Sequence, residues 1–241
     1  MATSSPTQTE FYEPDWTVGY ALKRVQTLER REDAGYVFVA SDGSERSYTF
    51  AEIEAAVLNR AKHLLSRGLK KGDRVGIIMR NYPQWPAAFY AALSLGAIAT
   101  PMNSWWTGEE LEYGLSFAGV KLAVVDPQIY ERVREHLESL PDLKHVVIAR
   151  DPGEEHNDPR VSTLEEHIGD ANSWADLEDK PWPAVEIGPD DDATIMYTSG
   201  TTGKPKGALA THRAIVSNMF NSMTCQARMF LRKGEPIFRE G

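Results

Sequence analysis

An α/β fold, a parallel sheet flanked by helices, is predicted by three observations. Short apolar runs alternate with amphipathic stretches from Ser47 to Ala149. The connections between them are as short as a βαβ array prefers. Two Thr-x-x-Glu signatures, Thr49 with Glu52 and Thr107 with Glu110, mark helix starts between those runs.

Taken in order, Thr49 caps a helix whose inner stripe is Ile53, Val57, Leu64 and Leu65, ended by Gly68. Arg74 to Met79 is a buried strand, Asn81 to Leu95 the next helix and Ile98 to Met102 the next strand. The apolar stretch Ala87 to Ala99 is too short to span a bilayer and reads as a core helix running into that strand. Thr107 opens a helix that ends near Gly119. Lys121 to Val125, apolar at nearly every position, suits a strand buried on both faces, followed by a helix over Gln128 to Leu140 and a strand over Val146 to Ala149. Right-handed crossovers are the expectation for such an array.

The polar segment Asp151 to Arg160 reads as a solvated loop in preference to a metal site built from Glu154, Glu155, His156 and Asp158. A short helix near Leu164 to Ile168 and a Trp/Pro linker, Trp174 to Pro183, come next. That linker divides the chain into an entry segment 1–37, a first α/β subdomain 38–183 and the start of a second subdomain 184–241. The acidic run Asp190 to Asp192 enters a strand Ala193 to Tyr197, and a second strand, Ala208 to Thr211, leaves the loop between them. A helix from about Arg213 to Phe230 follows, with Ile215, Met219, Met223 and Met229 as packing residues and Arg228, Arg232 and Lys233 at a solvated end.

The loop itself, YTSGTTGKPKG from Tyr197 to Gly207, concentrates hydroxyls, glycines and lysines in a composition suited to a polyphosphate. Gly200, Gly203 and Gly207 permit positive φ and close backbone approach, so that successive N–H groups can face anionic oxygens. Thr198, Ser199, Thr201 and Thr202 add short donors. Lys204 and Lys206 supply charge, and Pro205 between them biases Lys204 to an extended conformation and delays any helix. A Walker A loop is excluded by spacing: Thr198 stands where its first glycine belongs, and Pro205 replaces the hydroxyl that would reach magnesium.

YTSGTTGKPKG resembles the AMP-binding signature of the adenylate-forming enzymes, which include acyl-CoA synthetases, luciferases and the adenylation domains of peptide synthetases. The flanks agree: SYTFAEIEAAVLNRAKHLLSRGLKKGDRVGIIMRN and the run from Pro101 to Asp126 are similar to the first subdomain of those enzymes. PMNSWWTGEELEYGL is similar to their fatty-acid and aromatic-acid CoA ligases. The resemblance implies an acyl-CoA synthetase-like N-terminal domain, truncated, that ends before the adenine loop, the magnesium-positioning glutamate and the C-terminal lid with its lysine. It implies ATP, Mg2+ and CoA as cofactors and a carboxylic acid, first of all a fatty acid, as substrate. Thr198, Ser199, Gly200, Thr201, Thr202, Gly203, Lys204 and Lys206 would hold the β- and γ-phosphates. No catalytic residue and no metal ligand is assigned within the chain, and the chain alone is expected to be inactive. Two alternatives stay open: an adenylating enzyme that uses a carrier protein or oxidation in place of CoA, and a non-catalytic nucleotide-binding fragment.

The composition, 41% hydrophobic and 25% charged, is that of a folded chain. A net charge of −9 argues against nucleic acid as a partner. The sole cysteine, Cys225, excludes an internal disulfide and reads as a small buried apolar residue. With neither a basic start nor an apolar run at the N-terminus, a cytoplasmic location is the default, and peripheral membrane contact stays compatible with it. Trp105 and Trp106 are expected to pack in a core or interface in preference to lining a route to the acyl site, and His212 serves either as a structural hydrogen-bonding group or as a nucleotide contact.

Overall fold

The computed structural model describes residue 17 and residues 34–39, 44–178, 180–198 and 204–234. Strands β1 (Ala34–Val39) and β2 (Glu45–Thr49) pair antiparallel as a small separate sheet. Helix α1 (Phe50–Ser66) starts on the expected capping box. The Glu52 N–H donates to Thr49 Oγ1 at 3.1 Å and the Thr49 N–H to Glu52 Oε2 at 2.7 Å, so two otherwise orphaned donors are satisfied reciprocally.

The chain then alternates β3 (Arg74–Ile78), α2 (Gln84–Ser94), β4 (Ile98–Pro101), α3 (Gly108–Ala118), β5 (Val120–Val125), α4 (Pro127–Val133) and β6 (His145–Ile148). After β7 (Val161–Thr163) and the single turn α5 (Glu165–Ile168) come β8 (Asp192–Thr198), β9 (Lys206–Thr211) and the long α6 (His212–Lys233). The seven strands of the main sheet lie in the order β7-β6-β5-β3-β4-β8-β9, parallel throughout except for the antiparallel β8–β9 pair.

Strict alternation explains the continuous apolar runs. Val75, Ile77, Leu122, Val124 and Val147 face one side and pack with Ile53, Val57 and Leu64 of α1 and Ala87 and Ala91 of α2. Ile78, Ala123, Val125, Val146 and Ile148 face the other side, against Leu111 and Leu115 of α3 and Ile129 and Val133 of α4. Strands β3, β5 and β6 therefore bury both faces, and a polar residue at any of these positions would enter a core.

Several sequence expectations shift. Leu65 is 44% exposed, because the inward stripe of α1 passes through Ala61 and Leu64 instead. Helix α2 begins at Gln84, three residues later than expected, since the residue before Pro83 is sterically kept from helical geometry. The helix expected over Gln128 to Leu140 is α-helical only to Val133 and continues as a 3₁₀ turn over Arg134–Ser139. Strand β7 was not anticipated. Trp174, placed in a linker, is instead buried in a second 3₁₀ turn, Ala171–Asp176, with its ring 5.4 Å from that of Tyr48. Cys225 lies exposed on α6, contrary to the buried placement. Met219, Met223 and Met229 are likewise about half exposed and meet no core among the described residues. In the polar loop, Asp158 is taken by Arg160 at 2.7 Å and His156 by Asp151 at 3.1 Å. No group of three or more His, Cys, Asp or Glu side chains suited to a metal occurs among the described residues.

Candidate functional site

Because β8 runs parallel to β4, its carboxyl end opens at the same edge of the sheet as the carboxyl ends of β3, β4 and β5. In open α/β sheets that edge is where ligands bind, because the loops there carry no ladder obligations and helix N-termini point at it. The end of the β8–β9 pair marked by Thr198 and Lys206 therefore lies beside the loops that follow those strands. Of the residues expected to hold phosphate, Thr198 is the last residue of β8, and Lys204 and Lys206 lie on the return. Ser199, Gly200, Thr201, Thr202 and Gly203 fall outside the described residues.

The hairpin register sets Tyr197 against Gly207 and Thr198 against Lys206, with Thr198 Oγ1 donating to the Lys206 carbonyl at 3.4 Å. Thr198, Lys204 and Lys206 are all exposed, so a hydroxyl and two cations stand at one end of the hairpin. Gly207 is a strand residue without a positive φ. A Cβ there would lie 2.8 Å from Ile195 Cγ2, so close cross-strand approach, not left-handed geometry, is its requirement.

The side chain preceding the turn ties the hairpin to helix α3. Tyr197 Oη donates to the Gly114 carbonyl at 2.7 Å. Its ring meets Trp106 edge-on, centroids 5.2 Å apart. Burial, followed by the effect of Tyr113, pushes the Tyr197 phenol up to about 12, which keeps it a neutral donor across the physiological range. Trp106 is inserted against Gly114, where a Cβ would approach within 2.7 Å of Trp106 Cζ3. Arg132 of α4 holds the Trp106 segment from behind, its Nη1 donating to the carbonyls of Ser104 and Trp106 at 3.0 Å each. The two indoles expected to pack together thus separate: Trp106 is buried and Trp105 is 83% exposed.

Lys204 reaches the same helix. Its Nζ stands 4.9 Å from the centroid of the Tyr113 ring, which stacks on Phe117 with centroids 5.5 Å apart. Sequence reasoning passed over Tyr113, Gly114 and Tyr197 as site neighbours. The signal available was the segment PMNSWWTGEELEYGL with the two residues that follow it, Ser116 and Phe117, in which Tyr113 and Phe117 occupy i and i+4 on the outer side of a helix.

The base of the hairpin is braced electrostatically. Lys71 Nζ lies 2.6 Å from Asp191 Oδ2, which also accepts the Gly188 N–H at 2.7 Å. The Lys71 contact, then the Gly188 N–H, hold the Asp191 carboxyl below its ordinary range. Arg213 grips Asp190 with two parallel bonds of 2.7 and 2.9 Å. Two of the three acidic residues at the strand entry, Asp190 and Asp191, are therefore paired. His212 is fully buried at the start of α6, and its backbone N–H donates to the Asp191 carbonyl at 3.1 Å. Burial lowers its pKa, with Asp191 opposing, so the ring is an enclosed neutral imidazole.

Residues 26–236 match the family described as AMP-binding enzyme. The chain is 33% identical over 188 residues to 4-coumarate–CoA ligase 2 of Oryza sativa subsp. japonica, covering 78% of this chain and 32% of that protein. It is 33% identical over 205 residues to long-chain-fatty-acid–CoA ligase FadD13 of Mycobacterium tuberculosis, covering 83% and 36%. The chain thus spans about a third of the length of the curated relatives it matches. In fold it is similar to the anthranilate CoA ligase AuaEII in complex with anthranoyl-AMP, with a TM-score of 0.69 and 24% identity over 86% of this chain and 37% of the other.

Proposed function

Since this chain belongs to the AMP-binding enzyme family, we propose that it is the phosphate-gripping portion of an ATP-dependent acid–CoA ligase. In the proposed reaction a carboxylate oxygen attacks the α-phosphorus of ATP, and the bond from that phosphorus to the bridging oxygen of pyrophosphate breaks. The resulting acyl-adenylate passes its acyl group to the thiol of CoA, releasing AMP. The observation that carries the proposal is the antiparallel hairpin, with YTSGTTGKPKG across its turn, at the carboxyl edge of a parallel sheet.

Thr198, Ser199, Gly200, Thr201, Thr202 and Gly203 would donate to the β- and γ-phosphate oxygens, and Lys204 and Lys206 would offset the charge that accumulates on departing pyrophosphate. None of them acts as acid, base or nucleophile. Magnesium would screen the phosphates when bound. The hairpin supplies hydroxyls and cations, and no group of three or more His, Cys, Asp or Glu side chains suited to a metal occurs among the described residues. Residues 184–241 begin a second subdomain that carries this loop, after a first subdomain at 38–183. A fatty acid is the first substrate class to assay and an aromatic acid the second, because relatives named for each are equally similar. No described helix is long and apolar enough to cross a membrane, which is compatible with work in the cytoplasm or at a membrane surface.

ATP/pyrophosphate exchange by the full-length parent against a panel of fatty and aromatic acids tests the proposal. Exchange should depend on one class of acid, and Lys206→Ala should lower it by about 100-fold, the scale seen when a donor to developing charge is removed. Absence of acid-dependent exchange, or an undiminished Lys206→Ala rate, would overturn it. Release of AMP on adding CoA, and not on adding a carrier protein, identifies the thiol.

A further inference from the structure

We infer that Tyr113 is a positioning residue for Lys204: its ring face holds the lysine ammonium at the mouth of the hairpin, ready for a phosphate oxygen. The inference rests on the reading of that hairpin as a phosphate grip and adds a residue from a helix outside the glycine-rich loop.

The contact has the geometry of a cation–π pair, with Nζ 4.9 Å from the ring centroid. Both partners are constrained. The Tyr113 ring is stacked on Phe117, interplanar angle 20°. The neighbouring residue, Gly114, accepts the Tyr197 hydroxyl from the hairpin, so helix and hairpin are pinned together one residue away from the ring. Lys204, two residues before β9, thus meets a surface whose distance from the β8–β9 pair is set by that bond.

The choice of an aromatic partner matters chemically. A carboxylate in that place would neutralise the ammonium and occupy its N–H donors. A ring face attracts the cation through its quadrupole yet offers no lone pair, leaving those donors free for phosphate. Carboxylates are available on the same helix surface, where Glu109 and Glu112 lie beside Tyr113. Glu112 is nevertheless engaged by His136 Nδ1 at 2.5 Å. A long lysine side chain loses rotamer freedom on binding, and holding it in place beforehand reduces that loss.

The test uses the 241-residue chain titrated with inorganic pyrophosphate and followed by NMR of the Lys204 side-chain methylenes, assigned by their disappearance in Lys204→Met. Ring current should shift those signals upfield in the wild type and in Tyr113→Phe, but not in Tyr113→Leu. Pyrophosphate should bind about two- to five-fold more weakly to Tyr113→Leu, the worth of an exposed cation–π contact, and with unchanged affinity to Tyr113→Phe. Unshifted wild-type signals, a Leu variant that binds as tightly as wild type or tighter, or a Phe variant as weak as the Leu variant would each overturn the role of the ring while leaving the phosphate site standing. A wild-type chain whose hairpin signals ignore pyrophosphate would overturn the phosphate reading and this inference together.

Discussion

His63 is buried on α1 with its ring stacked on that of His167, centroids 3.5 Å apart, and with Arg60 close by. Burial, and then the Arg60 charge, drives its pKa from 6.5 to about 3. Arg60 is itself enclosed, brought down to about 9 by burial, and none of its guanidinium nitrogens has a hydrogen-bond partner among the described residues. Above pH 6.5 the imidazole is neutral in both folded and unfolded chains and contributes no pH dependence. Between 6.5 and about 3 the unfolded chain takes up a proton that the folded chain refuses, so stability falls as pH is lowered through that window. His167 and His145 are lowered by burial in the same direction and add to the slope. His63→Phe, which keeps a ring against His167, should flatten the fall of Tm between pH 6.5 and 4. An acid limb as steep as in the wild type would count against this account. Arg60, three residues earlier on the same helix, is a neighbour the sequence shows, but the burial and the His167 ring that complete the site reach His63 only through the fold. Lys204 and Tyr113 illustrate the same limit, being far apart in the chain and joined only in space.

Helix α3 shows what local chemistry does announce. Its start at Thr107 and its end at Gly119, a left-handed cap with φ +62°, were both readable because each device acts within a few residues. Its interior glycine was not, since the reason for Gly114 is an indole that packs on it from the preceding loop. Two effects compete in Gly114→Ala. Helix propensity alone would stabilise the variant by about 1 kcal/mol. The new methyl would stand 2.7 Å from Trp106 Cζ3 and 3.3 Å from Met102 Sδ, an overpacking that costs about 1–3 kcal/mol. Overpacking should win, because Trp106 is itself held between Tyr197 and the Arg132 contacts and cannot retreat freely. Urea denaturation should therefore show a net loss, and a net gain would mean that the indole has room to move. The edge strand β7 was missed for a related reason: three residues, Val161–Thr163, carry too short a pattern to be distinguished from loop.

Over the full chain, the parallel array was readable because every central strand is apolar on both faces, a property that survives without knowledge of any partner. Helix α6 was misjudged because periodicity reveals an apolar stripe but not what covers it. Ile215 and Val216 reach the core, whereas Met219, Met223, Met229 and Leu231 stand exposed, with Leu209 of β9 also uncovered. Apolar surface of this kind favours association. The isolated chain should show concentration-dependent sedimentation that Met219→Gln with Met223→Gln reduces while the far-ultraviolet circular dichroism stays the same. Sedimentation unaffected by the pair would show that the stripe is not the adhesive surface.

The seam between β4 and β8 consists of one facing pair, Ala99 with Thr194, whereas β3 meets β4 through four and β5 through five. So short a ladder fixes the direction of β8 and leaves its further support to contacts outside the strands. The attitude of the hairpin is consequently governed by struts planted outside the strands: the Tyr197 hydroxyl on α3, the Trp106 wedge and the Lys71 clasp on Asp191. Such a mounting makes the pose of β8 and β9 answer to the packing of α3 and to one surface ion pair as much as to the sheet itself.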